Sequence, residues 1–324
     1  MTGPRPDIGM TGPRPDIGMT GPGPDIGMTG PSPDIGMTGP SPDIGMTGPG
    51  SDIGMKPASP APVPVIACFK WGAGYPAADT NVLFRALRDL MGVPHRFVCV
   101  TDDGTGLDDG IEVLPLPAFA LPHGHWTPGM WPKLAIFAPG LFADGTPVLL
   151  MDVDVMVLRD LAPLVDRVRA QPGLHIIRDW PNLTERVTPW RAKGPRLSNS
   201  SVVGFTAGTQ GQIWDAFHTA GWDTLAPQVN DQDFIHHHAQ DRLHWPDGWV
   251  LSFKKSVVWH VPLNYLAAPA RPREAFVVAF HGKPDMADLL QAPGVRWGTK
   301  ERFGRAPVPW VMDYQRRYGD APPA

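Results

Sequence analysis

The chain has 324 residues, 36 of them glycine and 40 proline, with 42% hydrophobic and 19% charged. That is enough apolar material for one large domain or two ordinary ones, while two cysteines, Cys68 and Cys99, exclude a disulfide framework or a multi-thiolate zinc site. The net charge of −4 resides in residues 1–54, where Arg5 and Arg14 face six aspartates, so the neutral remainder excludes a global pull toward nucleic acid or anionic membrane.

Residues 1–54 are six copies of a nonapeptide, from MTGPRPDIG at Met1 to MTGPGSDIG at Met46. Each copy offers only Met and Ile as sizeable apolar residues, too few to stack as a solenoid. In triplets, every third one lacks glycine, which excludes an unbroken collagen helix. A disordered, partly polyproline-like arm is expected, with Met55 a candidate working start and a partner tether the alternative. Residues 55–64 read as a proline-rich linker. No apolar run reaches the ~20 residues of a membrane span, and the N-terminus lacks the order of a signal peptide. The expected setting is cytoplasmic, with no integral membrane segment.

From there an alternating pattern begins. Val65–Phe69 is a short apolar run that predicts a buried strand. Thr80–Met91 places Leu83, Ala86, Leu87, Leu90 and Met91 at helical spacing, capped by Asp79 or Thr80. Arg96–Val100 and Ile111–Leu114 predict two more strands, residues 131–137 a helix with Pro132 in its first turn, and Val148–Met151 a fourth strand. This succession predicts an α/β fold with a mixed, mainly parallel sheet flanked by helices. Ligands in such sheets bind outside the carboxyl ends of the strands, where Cys68–Tyr75, Thr101–Gly104 and Asp152–Asp154 fall.

Asp152 and Asp154 are two residues apart. On an extended chain both carboxylates point the same way and can share one hard divalent cation, which suits a diphosphate. A pair of solvated loop aspartates is the plain alternative. Asp152-Val153-Asp154 resembles the DXD motif of GT-A-fold glycosyltransferases. Phe280-His281-Gly282-Lys283-Pro284 is similar to the late His-x-Gly-x-x-Lys-Pro element of family 8 within that fold, compressed here. Ser198–Phe205 resembles that family's Asn-[Ala/Ser]-Gly-Val-Leu segment, and Asn230-Asp231-Gln232-Asp233 its Asp-Gln-Asp segment. Lys70-Trp71-Gly72 with Tyr75 and Asn81, then Phe97–Asp103, resembles bacterial glycosyltransferases of the same fold. The resemblance spans residues 63–290 and leaves 291–324 as a tail over the site or the acceptor.

The resemblance implies a retaining transfer of a sugar from a nucleoside diphosphate sugar, UDP-hexose by expectation, to an acceptor hydroxyl. It implies Mn²⁺ or Mg²⁺ on Asp152, Asp154 and His281, with a mixed oxygen and nitrogen shell favouring Mn²⁺. Lys283 would meet the diphosphate. Lys70, Tyr75, Asn81, Asp102 and Asp103 would serve the base and ribose, although Asp-Asp-Gly is also good turn chemistry. Lys133 would contact the donor, with a surface lysine the alternative. Asn199 and Ser200 would contact the donor sugar or position the acceptor, and Asp231, Gln232 and Asp233 would serve the reacting sugar, with Asp231 alternatively a helix N-cap. Lys254 and Lys255 are further cationic candidates that lean toward the surface. His236, His237 and His238 point apart on a helix, part core and part surface. A sugar-phosphate nucleotidyltransferase and a non-catalytic carbohydrate- or protein-binding module are the alternatives.

Overall fold

The computed structural model describes residues 61–126, 130–181, 197–225, 228, 230–260, 263–299 and 302–320. The repeat arm lies outside the described residues. Residues 59–324 form one compact unit.

Its centre is a seven-stranded sheet in the order β3-β2-β1-β4-β7-β6-β8. The strands are β1 (Val65–Lys70), β2 (Arg96–Thr101), β3 (Glu112–Pro115), β4 (Pro147–Met151), β6 (Leu174–Arg178), β7 (Ser198–Thr206) and β8 (Arg242–His244). All run parallel except β7, which is antiparallel to both of its neighbours, β4 and β6. The expected mixed, mainly parallel sheet is therefore observed, and the strand order reverses direction between β1 and β4. Along β1, Val65, Ala67 and Phe69 enter one core cluster while Ile66 and Cys68 enter the other. Both faces are covered, which is why the strand reads as an unbroken apolar run rather than an alternation.

One face carries α1 (Ala77–Leu90), α2 (Ala162–Ala170) and α5 (Pro309–Tyr318); the other carries the 3₁₀ segment Trp131–Phe137, α3 (Gly211–Thr219) and α4 (Asp231–His238). Helix α1 starts three residues before the predicted Thr80. Pro76 in extended conformation sets the chain into the helix without a side-chain cap, so Asp79 and Thr80 lie inside it. For α4 the cap is Asn230, whose side chain accepts from the Asp233 amide at 3.0 Å, leaving the Asp231 carboxylate for other work.

A second sheet, β5 (Val155–Val157), β10 (Val277–Ala279) and β9 (Val250–Ser252), is ordered β5-β10-β9. The segment after residue 290, expected as a tail, forms the hairpin β11 (Arg296–Thr299) and β12 (Arg302–Arg305) and then α5. Val308, Val311, Tyr314 and Tyr318 share the core cluster of β5 and β10, and the Tyr314 hydroxyl accepts from the Val157 amide at 3.3 Å. The apolar domain thus continues to residue 318.

Candidate active site at the strand ends

Because β7 runs against β4, its first residues lie beside the last residues of β4. The Asp152 amide donates to the Ser201 carbonyl at 3.0 Å. Ser200 and Asn199 therefore reach the strand-end cleft from the opposite direction to Asp152. From below comes Lys133, only 4% exposed. Its ammonium lies 2.7 Å from Asp152 Oδ1, 3.3 Å from Asp231 Oδ2 and 3.1 Å from Ser200 Oγ, and Ser200 in turn donates to Asp231 Oδ2 at 2.7 Å. Burial alone would push the Lys133 ammonium down; the carboxylates of Asp152 and Asp231 hold it above the ordinary lysine value. Burial raises the Asp231 carboxyl despite the opposing Lys133 charge. Asn199 donates to Gln232 Oε1 at 3.2 Å and accepts from the Ser201 amide at 3.0 Å. Lys133, Asp152, Ser200 and Asp231 are thus one connected group, and Asn199 with Gln232 forms a second pair beside it in sequence. Asp233 gives its backbone amide to the Asn230 cap, and its carboxylate is not part of that group.

Asp152 and Asp154 meet by a different geometry from the extended chain expected. Residues 153 and 154 turn, and Val153 is buried in the core. The two carboxylates remain electrostatic neighbours, and Asp154 is pushed up to about 8, by burial first and then by the Asp152 charge. The Asp154 carbonyl accepts from the Phe280 amide at 3.0 Å, which brings the end of β10 to the turn. His281 follows at once, but its Nε2 lies 2.7 Å from Ser252 Oγ and its ring stacks on Trp180 at 5.1 Å and 4°. Burial, then Lys254 and Lys255, push its pKa down to about 3, so the imidazole is neutral.

Among the described residues no three His, Cys, Asp or Glu side chains gather as a group able to hold a metal ion. The donor chemistry of Asp152 and Asp154 fits a hard divalent cation, with a buried carboxylate repelled by its neighbour. His281 is neutral, as a ligand must be, but it is turned onto Ser252 and does not complete a trio.

The base and ribose candidates separate. A cleft of about 370 Å³ is lined by Trp71, Gly72, Tyr75, Asp102, His123 and Trp126, among others. Asp102 accepts from the Gly72 amide at 3.0 and 3.2 Å, joining the ends of β1 and β2. Tyr75 is raised by burial and by the Asp154 and Asp152 charges, which places its hydroxyl in their field. Lys70 is buried and donates to the Asp103 carbonyl at 2.9 Å. Two expectations are corrected. Asn81 donates to the Gly106 carbonyl and accepts from the Asp108 amide, both at 2.9 Å, so both ends of its amide are engaged in holding that loop. Asp103 accepts from the Thr105 amide at 2.8 Å, which is turn chemistry.

Lys283 is exposed and pairs with Asp285 at 2.7 Å and Asp288 at 3.1 Å. Lys254 and Lys255, expected to lean toward the surface, are half-buried. Lys254 donates to the His281 carbonyl, and Lys255 binds both oxygens of Asp179 at 2.9 and 3.0 Å. His236 meets Ser198 Oγ at 2.8 Å, His238 stacks on Phe234, and His237 is exposed. Sequence reasoning missed Ser252, Trp180, His123, Trp126 and Asp79, whose half-buried carboxyl is raised and contributes to the field on Asp154. His123 and Trp126 belong to a single 3₁₀ turn and its C-cap, too short for a periodicity to flag them; Asp79 was visible as an acidic residue in the first turn of α1.

No family model matches the chain, and no curated protein matches it. Among solved structures it is similar to the galactosyltransferase LgtC in complex with donor and acceptor sugar analogues, at 15% identity and a TM-score of 0.48. That match spans 80% of this chain and 97% of LgtC. It is also similar to the bifunctional glycosyltransferase WbbM, at 13% identity and a TM-score of 0.45, over 81% of this chain and 53% of WbbM. The glycosyltransferase GlyE of Streptococcus pneumoniae TIGR4 matches at 11% identity and a TM-score of 0.46, over 78% of this chain and 60% of GlyE.

Proposed function

We propose that the chain is a glycosyltransferase of the GT-A kind, moving a sugar from a nucleoside diphosphate sugar, UDP-hexose by expectation, to an acceptor hydroxyl with retention. The observation that carries this reading is the acidic turn. Asp152 and Asp154 stand where the strand order reverses, and Asp154 is held near 8 by burial and by its neighbour. Open α/β sheets bind ligands at that crevice, and a carboxylate pair there is suited to a cation and the diphosphate it accompanies. A bound Mn²⁺ or Mg²⁺ supplies charge to offset the departing diphosphate.

The protein's own residues do the positioning. Trp71 and Tyr75 offer ring faces to a base, and Asp102 accepts from a base or ribose donor. Asp231, fixed by Lys133 and Ser200, accepts from a hydroxyl of the transferred sugar, with Gln232 oriented beside it by Asn199. Lys133 holds Asp152 and Asp231 at a set separation. Lys283 reaches a phosphate only by leaving Asp285 and Asp288.

Calorimetric titration of UDP and GDP into the full chain, with and without Mn²⁺, tests the reading. UDP binding that needs the metal and is lost in Asp154→Ala is the expected outcome. Absence of nucleotide binding by a protein shown to be folded rules it out.

A further inference from the structure

Two segments that the strand-end site does not use concentrate positive charge. Residues 256–273 carry Arg271 and Arg273 with no Asp or Glu, and residues 289–312 carry Arg296, Lys300, Arg302 and Arg305 against Glu301 alone. Six cations against one anion give +5, inside residues 55–324 whose net charge is zero. The segments meet at the surface, where Trp259, Leu266, Phe303 and Arg305 line one cleft. Across the β11–β12 hairpin Arg296 and Arg305 are direct partners, so their side chains leave the same face, an arrangement in which like charges repel. Both are exposed. Among the described residues neither is paired with a carboxylate: Arg296 lies over the Phe303 ring at 3.9 Å, and Arg305 donates to the Gly294 carbonyl at 3.0 Å.

The same segments leave apolar side chains uncovered. Of the eight large hydrophobic residues exposed among the described ones, four fall here: Trp259, Leu263, Leu266 and Val295, with Leu263 53% and Leu266 80% exposed. A 3₁₀ turn at Leu263–Tyr265, closed by the Leu266 amide on the Leu263 carbonyl at 2.9 Å, sets the two leucines three residues apart, a spacing that eclipses them on one side of such a turn. Trp259 Nε1 donates to the Ala268 carbonyl at 3.2 Å and so ties the two ends of that loop together. Val295 directly precedes Arg296 on the hairpin.

Charge decides between occupants. A second copy of the chain, joined through this face on both sides, would set +5 against +5. A soluble acidic polypeptide would neutralise the arginines and leave Leu263 and Leu266 in water. An anionic lipid surface meets both demands, because its phosphates take the arginines while protruding aliphatic side chains enter the acyl boundary without a pocket shaped for them. We propose that this face docks on an anionic phospholipid surface, with Arg296 and Arg305 on lipid phosphates and Trp259, Leu263 and Leu266 in the interface. The proposal does not rest on the nucleotide-sugar reading of the strand-end site.

Co-sedimentation of the full chain with vesicles tests it, using phosphatidylcholine alone and phosphatidylcholine with about one-third phosphatidylglycerol. The expected result is binding to the anionic vesicles at about 0.1 M salt, weakened at about 1 M, and none to phosphatidylcholine alone. Each arginine near such a surface is worth about fivefold in affinity, so Arg296→Gln with Arg305→Gln should weaken binding about twenty-five-fold. Leu263→Ser with Leu266→Ser should weaken it at least about fivefold. Both leucines are exposed, so that variant should keep the wild-type urea midpoint and remains informative if the arginine variant fails to fold. Val113→Ser, which removes an exposed apolar residue of β3, should leave binding unchanged. No binding to anionic vesicles by folded wild type, equal binding to phosphatidylcholine alone, or binding that survives the leucine variant would each overturn the proposal. Binding to soluble polyglutamate as tight as to the vesicles, and indifferent to the leucine pair, would assign the face to an acidic polypeptide and overturn it too.

Discussion

At the scale of single residues, Lys133 decides the electrostatics of the strand-end site. Its buried ammonium compensates two carboxylates, one of which, Asp231, is itself only 4% exposed. Removing one member of such a group leaves charge in a place water does not reach. Lys133→Met should therefore destabilise the protein by about 3 kcal/mol, the low end of the usual range because Asp231 can escape by taking up a proton. Adding Asp231→Asn to that variant should recover more than half of the loss. Urea denaturation of the two singles and the double measures this; strictly additive effects would contradict it. His175 offers a pH test away from the site. It is fully buried, its Nε2 donates to the Gln171 carbonyl at 2.8 Å, and its Nδ1 has no partner among the described residues. Burial pushes its pKa below the ordinary value of about 6.5. The unfolded chain thus takes up the proton first. The stabilisation is complete above about pH 6.5 and is lost as pH falls from there toward the folded-state value. His175→Phe, which keeps a ring against Trp245, should show a shallower acid limb in a pH series of urea midpoints. Superimposable profiles would refute this.

Among the elements, tight packing between β7, α2 and Trp245 sets what the sheet tolerates. A Cβ on Gly204 would come within 2.7 Å of both the Trp245 ring and the Val168 methyl group. Gly204→Ala should cost about 1–3 kcal/mol by overpacking, whereas Gly211→Ala at the start of α3, with nothing within 4 Å, should be neutral or mildly stabilising. Thermal unfolding of the pair checks the contrast. The elements legible in the sequence share a physical trait. β1, β2 and β4 are central and covered on both faces, so they read as apolar runs, and α1 declares itself by its stripe. β6, β8, β9 and the β11–β12 hairpin are short or carry polar residues such as His175, Arg242 and His244, and local pattern does not reveal them. The site divides the same way. Asp152 and Asp154 are legible because they terminate a strand. That Asn81 would be engaged by a neighbouring loop, or that His281 would face Ser252, depends on partners 25 and 29 residues away.

At the scale of the whole molecule, the nonapeptide arm and the rest of the chain answer to different physics. Each repeat carries one Met and one Ile among glycines, prolines and an aspartate. Burying so little apolar surface does not offset the entropy of ordering nine residues. Residues 59–324, in contrast, form a compact unit with two core clusters of their own. Deleting residues 1–58 should therefore leave the urea midpoint unchanged. The slope should also hold, since it scales with the surface exposed on unfolding and the repeats hold few sizeable apolar residues to bury. The deletion removes three cations and six aspartates, taking the net charge from −4 to −1, so the shortened protein should leave an anion exchanger at lower salt. A lower midpoint together with a smaller slope would mean that the arm is folded against the rest of the chain and contributes buried surface to it.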